Sequence, residues 1–178
     1  MKNKKELIYI FLIIVLLGAC GKLYFQKVWQ PAHQIQVFYN QDKELNKELI
    51  QLTREADQFV YFAVYTFTRT DLKDALLAAK YRGLKVVGLT DKTQSKDIDL
   101  QKQIVAELKT AGIPVFQQDH LGIMHLKVLV TEKAYASGSY NWTAAATNLN
   151  DEVLEIGHDE TLRQTYQNIL EKLFNKYQ

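Results

Sequence analysis

The chain has 178 residues, 47% hydrophobic with only two prolines, so it can bury one sizeable core but hardly two, and a second folded domain is excluded. Its 22 basic and 20 acidic residues give a formal net charge of +2, and three of the lysines but one glutamate precede Cys20. The rest is therefore neutral, and affinity for nucleic acid would need a local basic groove. The single cysteine, Cys20, leaves everything after it without a disulfide or a Cys/His zinc element.

At the N-terminus Lys2, Lys4 and Lys5 precede an apolar run, Leu7 to Ala19, with the pattern of an export signal and too short to span a bilayer comfortably. The run ends in Leu17-Gly18-Ala19-Cys20-Gly21, which resembles a bacterial lipobox and implies lipidation of Cys20 as the mature N-terminus. The other reading is an uncleaved anchor that Leu23, Tyr24 and Phe25 extend. Residues 1–20 are thus expected to be a signal peptide with lipobox or a membrane anchor. Residues 21–34, mixed in composition and containing Pro31, are expected to be a tether. Both readings make the protein exported and membrane-attached, in a bacterial cell envelope or periplasm, with the lipoprotein favoured.

The folded domain is expected over 35–178. A strand begins at Ile35, and a helix over Lys43 to Ala56 carries Leu45, Leu49 and Leu52 on one stripe. Phe59 to Phe67 reads as a buried strand. Asp71 to Tyr81 reads as a helix stopped by Gly83, and Leu84 to Leu89 as a strand covered on both faces. The polar segment Asp91 to Asp97 leaves that strand where open α/β sheets commonly place ligand loops, and it reads as a solvated loop. Ile98 to Ala111 is a helix ended by Gly112, and Val115 and Phe116 form a short strand. A hairpin follows, then an apolar strand from Val153 to Ile156. The last helix carries Leu162, Tyr166, Ile169, Leu173 and Phe174 on one face, as core or dimer contact. This alternation predicts an α/β fold, a mixed sheet flanked by helices.

The chemistry concentrates in MHLKVLVTEKAYASGSYNW, Met124 to Trp142. In the hairpin, two-residue alternation sets His125 and Lys127 on one face, opposite Leu126 and Val128. An imidazole and an ammonium side by side repel when both are charged, which suits a bound anion such as phosphate. Ser139 and Asn141 repeat the i, i+2 spacing on the return strand, and Gly138 lets another backbone approach closely. Glu152, opening the next strand, is placed to accept the second N–H of an imidazole and fix its tautomer. His33 falls in the tether, His120 in a loop and His158 after a strand, each without such companions.

This stretch resembles the HKD signature of the phospholipase D superfamily: His-x-Lys, a four-residue spacer, an acid, then Gly-Ser-x-Asn. Asn141-Trp142-Thr143 and Asn150-Asp151-Glu152 are similar to the single-motif branch, the Nuc-type bacterial endonucleases and mitochondrial phospholipase D-like proteins, and the likeness runs from about Ile35 to the C-terminus. There are two departures. Glu132 stands where the family has aspartate, and five residues rather than six separate it from Gly138. The family's acid is mainly structural, a role a longer side chain keeps by drawing its turn closer. The resemblance implies that His125 attacks phosphorus to form a phosphohistidine and a second His125 protonates the leaving oxygen. Lys127 and Asn141 would stabilise the charge, Ser139 orient the site and Glu152 orient the histidine. Superfamily members use two motifs, and this chain has one, so it implies a homodimer with its active site on the two-fold axis. No metal or other cofactor is expected. The activity expected from the branch is that of a phosphodiesterase, an endonuclease cleaving DNA, with single strands as a candidate preference, or RNA; Tyr61, Tyr65, Tyr135 and Tyr140 are either stacking surfaces for bases or core. The alternatives are a membrane-tethered phospholipase or cardiolipin hydrolase and a non-catalytic DNA-capture module.

Overall fold

Seven segments, most of them rich in β-branched and aromatic residues, pair into one sheet: β1 (Ile35–Tyr39), β2 (Phe59–Val64), β3 (Lys85–Thr90), β4 (Val115–Gln117), β5 (Lys127–Thr131), β6 (Tyr135–Gly138) and β7 (Val153–Gly157). Six helices connect or follow them: α1 (Leu45–Glu55), α2 (Thr70–Tyr81), α3 (Lys92–Asp97), α4 (Asp99–Thr110), α5 (Ala144–Asn148) and α6 (Glu160–Tyr177). The computed structural model describes residues 35–178 together with 3, 6, 9 and 12–18; Cys20, His33 and the expected tether 21–34 lie outside the described residues. Contacts divide the chain into two units, Met1–His33 and Gln34–Gln178. In the first, residues 12–18 are helical, and among the described residues no helix is long and apolar enough to cross a membrane.

The strand order is β1-β7-β6-β5-β2-β3-β4. β2, β3 and β4 run parallel, as their helical crossovers require, whereas the short connection from β5 to β6 makes an antiparallel hairpin. β5 is antiparallel to β2, and β7 is antiparallel to both β6 and β1. The carboxyl ends of β1, β2, β3, β4 and β6 therefore meet the amino ends of β5 and β7 at one end of the sheet.

Both faces of the sheet are covered, which makes the predicted α/β architecture a mixed sheet between helices. On one face the stripe Leu45, Leu49 and Leu52 of α1 packs with Leu72 and Leu76 of α2 and Ile104 and Leu108 of α4 against Val60, Phe62, Val64 and Leu129. On the other, Leu170 and Phe174 of α6 cover Tyr61, Ala63, Val87, Val128 and Val130. Each buried Val, Leu, Ile or Phe among them contributes roughly 1.5–3 kcal/mol by leaving water.

Three expectations change. The segment expected as a solvated loop is helix α3, because Asp91 ends β3 and its Oδ1 accepts from the Gln94 N–H at 2.9 Å, capping a turn. Helix α5 was not anticipated; Thr143 caps it by accepting from Ala146 N. On α6 Arg163, Leu170 and Phe174 are buried, while Leu162 and Ile169 are exposed, so of the stripe expected as core or dimer contact the sheet covers only part.

Glu132 closes the β5–β6 turn. Its carboxylate accepts the backbone N–H of Asp57 at 2.8 Å, of Gln58 at 3.2 Å and of Phe59 at 3.4 Å, tying the turn to the start of β2. Burial alone would raise its carboxyl pKa, but these backbone donors outweigh it and hold the group below the ordinary glutamate value. The ionised form is the one the fold prefers. Its stabilisation is complete above about pH 4.3 and is lost as pH falls through the lowered value. Glu132→Gln is expected to cost about 1–3 kcal/mol at neutral pH. In denaturant titrations the gap to the wild type should close as the medium is acidified through the carboxylate range, and a gap independent of pH would contradict the role.

Candidate active site

His125 and Lys127 sit where β5 begins. Regular pairing starts at Lys127, which lies opposite Val64, so His125 and Leu126 precede the strand rather than belonging to it. Tyr65 N still donates to the Leu126 carbonyl at 2.9 Å, which keeps this approach extended. The Lys127 side chain is buried, and its Nζ donates to the His125 carbonyl at 2.9 Å and lies 5.2 Å from the Tyr65 ring centroid. Burial pushes the ammonium below the usual lysine value, an effect the nearby Glu152 carboxylate partly offsets. The His125 imidazole is exposed and packs on the Tyr65 ring, centroids 4.8 Å apart. No group among the described residues hydrogen-bonds that imidazole.

Ser139 and Asn141 also fall outside the strand expected to carry them, since β6 ends at Gly138. The segment after β6 crosses the start of β5 and joins the end of β2, where Phe67 and Trp142 form a parallel bridge. Trp142 fixes this crossing. Its N donates to the Thr66 carbonyl, its carbonyl accepts from Thr68 and Arg69, and its buried ring packs on Phe62 and Phe67. The Asn141 Oδ1 thereby comes within 3.4 Å of the Thr66 N, above the approach to Lys127. Gly138 has the role read from the sequence, because a Cβ there would meet the Val153 carbonyl oxygen at 2.2 Å.

Glu152, buried ahead of β7, hydrogen-bonds Ser139 Oγ through one oxygen and Asn150 Nδ2 at 3.0 Å through the other. The expected Glu152–His125 bond is not made within the chain. β6 lies between β5 and β7, which separates the two residues by two strand spacings, about 10 Å. Glu132, also counted with the site from the sequence, is at the opposite end of β5, roughly 20 Å along the strand from His125. It holds the hairpin and takes no place beside the other five.

Sequence reasoning missed Asn40. Its buried amide donates to the carbonyls of Asn150 at 2.7 Å and Ala146 at 3.2 Å, and its Oδ1 accepts from Glu152 N at 2.9 Å. A polar residue after a strand carries no signal that separates it from a turn. Asp91, also missed, did carry one: an acid after an apolar strand with Gln94 three residues on is a helix-start signature. Of the four candidate stacking tyrosines, Tyr61, Tyr135 and Tyr140 are buried, and Tyr65 alone stands half-exposed at the site. His120 and His158 lie on exposed surface. Among the described residues no group of three or more His, Cys, Asp or Glu is arranged to hold a metal ion.

The family cardiolipin synthase, PLD-like domain, matches residues 49–174. The chain belongs to the phospholipase D-like family. Similar sequences include a mitochondrial cardiolipin hydrolase of Xenopus tropicalis, 31% identical over 76% of this chain and 63% of the relative. A phospholipase D of Rickettsia typhi is 31% identical over 67% of this chain and 58% of the relative. The chain thus spans about 60% of the length of these curated relatives. Among solved structures, the phospholipase D family member Nuc from Salmonella typhimurium superposes with a TM-score of 0.76 at 23% identity, over 82% of this chain and 97% of that one. NucT from Helicobacter pylori gives 0.72 at 24% identity, over 80% and 96%. The phospholipase D-like fold is thereby the fold of this chain.

Asn40→Ala removes the amide that holds the loop from α5 to β7, leaving the buried Glu152 N–H without its acceptor. A loss of about 1–3 kcal/mol is expected, with faster hydrogen exchange at Glu152 than across β2 and β3. Unchanged exchange at Glu152 would contradict the assignment.

Proposed function

We propose that the protein is a metal-independent phosphodiesterase working through a phosphohistidine. The observation that carries this reading is an exposed imidazole, without a hydrogen bond among the described residues, beside a buried lysine in a phospholipase D-like domain. A ring nitrogen of His125 attacks phosphorus and the bond to the leaving oxygen breaks, while the partner's His125 donates a proton to that oxygen. Water then attacks the phosphohistidine, gives its proton to the partner's His125 and frees the first histidine. Lys127 and Asn141 meet the charge on the non-bridging oxygens, and Ser139, bonded to Glu152, supports the site. A single histidine cannot be nucleophile and acid at once, which supports a homodimer with the site on its two-fold axis. Contact of Glu152 with an imidazole is then left to the partner's His125.

Nucleic acid is the substrate that the half-exposed Tyr65 ring favours, since it lies against His125 where an unpaired base could stack. Phospholipid is a second reading. It is supported by relatives named cardiolipin hydrolase and phospholipase D, and by Leu121 and Leu149, 110% and 80% exposed on loops at the site end of the sheet. A lipidated Cys20, or an uncleaved anchor, followed by a tether over 21–34, would hold the domain over 35–178 near the membrane of an exporting cell.

Activity on single-stranded DNA, RNA and cardiolipin vesicles, measured in excess EDTA, should persist on at least one substrate and fall about 10³-fold or more in His125→Ala. Wild-type chains mixed with excess His125→Ala chains should lose activity on subunit exchange. Dependence on added magnesium, or activity proportional to the number of wild-type chains, would contradict this mechanism.

A further inference from the structure

The segment 118–126, between β4 and β5, has no regular secondary structure, yet it delivers His125. Its outer part is exposed at Leu121 and Ile123. Its inner part is held by Asp91, whose side chain is wholly buried at the end of β3. Asp91 Oδ1 caps α3, while Oδ2 accepts from Gln118 Nε2 at 2.6 Å and from the Met124 backbone N–H at 3.0 Å. Gln118 Oε1 in turn accepts from Lys92 N at 2.7 Å. The carboxylate therefore joins the end of β3, the end of β4, the start of α3 and the residue immediately before His125.

A second branch leaves the same turn. Thr90 and Ser95 share a hydroxyl hydrogen bond of 3.0 Å, and Ser95 Oγ accepts from Gln101 Nε2 at 3.1 Å. Gln101, fully buried, holds the Tyr65 carbonyl at 3.3 Å and accepts from Phe67 N at 2.8 Å. Tyr65 is the ring on which His125 rests. The two branches approach the imidazole from the backbone behind it and from the ring beneath it, and no other described residue provides it a hydrogen bond.

We propose that Asp91 is a positioning residue for the reaction, fixing the attack geometry of His125 through the Met124 N–H. The inference rests on the reading of His125 as nucleophile. A buried carboxylate met by three N–H donors is costly to disturb, and a neutral amide at that position cannot accept from all three. In Asp91→Asn, either the cap of α3 or the hold on Met124 is lost, so the histidine samples positions outside the attack geometry. Misplacement on the scale of an ångström is enough to cost about 10²-fold in rate.

The test uses the full-length chain and bis(4-nitrophenyl) phosphate as a plain phosphodiester, with proton NMR of the histidine ring signals alongside. Asp91→Asn should lower kcat about 10²-fold while KM changes by no more than about threefold, and should shift or broaden the His125 signal while His158 stays put. Replacing the Met124 amide N–H by an ester oxygen deletes the same hydrogen bond without touching any side chain, and should give the same two changes even if Asp91→Asn folds poorly. An ester variant with wild-type kcat and an unmoved His125 signal would overturn the proposal. So would a kcat deficit that disappears once the temperature is lowered until the variant is as fully folded as the wild type. The two readings fail separately. An active His125→Ala chain would overturn the phosphohistidine mechanism, whereas an inactive one beside a fully active ester variant would overturn only the positioning role.

Discussion

The ammonium of Lys127 is buried at the start of an apolar strand, and among the described residues no carboxylate forms an ion pair with it. One carbonyl and one aromatic face are its near partners. A cation so placed has fewer solvating partners than it would have in water, which disfavours its charged form. Burial lowers its pKa, the nearby Glu152 carboxylate partly offsets that, and an anion bound at the mouth of the site would add to the offset. The same ammonium grips the His125 carbonyl, so the charge that would bind phosphate also holds the residue proposed to attack it.

That arrangement needs strands entering from opposite directions. Because β5 and β7 are antiparallel to their neighbours, their amino ends share one end of the sheet with the exits of β2, β3 and β6. Polar side chains separated by many residues become neighbours without interrupting either apolar layer. Two buried side chains fasten the irregular segments: Asp91 on the approach to His125, and Asn40 on the loop that presents Glu152. Trp142 fastens the crossing between them.

Much of this was legible in the sequence, because period-two and period-3.6 apolar patterns reflect which face is buried. Leu45, Leu49 and Leu52 lie on the inner face of α1, and Gly83 follows α2 with a φ of 93°. Of the residues that type and spacing single out, His125, Lys127, Ser139, Asn141 and Glu152 lie at one end of the sheet, whereas Glu132 lies at the other. What was not legible depends on pairing. The order β5-β6-β7 separates Glu152 from His125 and gives its oxygens to Ser139 and Asn150, and no local pattern encodes which strand lies between two others. The short helix α3 was hidden by its polar composition, since its stability comes from the Asp91 cap rather than from an apolar stripe. Leu162 and Ile169 look like core by spacing, but they extend past the edge of what the sheet can cover.

The most direct measurement is of the covalent intermediate. The wild-type chain would be mixed rapidly with bis(4-nitrophenyl) phosphate and quenched in alkali, where phosphohistidine survives, then digested and mapped by mass spectrometry. A nitrophenyl phosphoryl adduct on the peptide containing His125, rising with the first release of nitrophenol and missing from His125→Ala, is the predicted result. Turnover with no adduct at His125, or with the adduct on another residue, would contradict the assignment of His125 as the nucleophile.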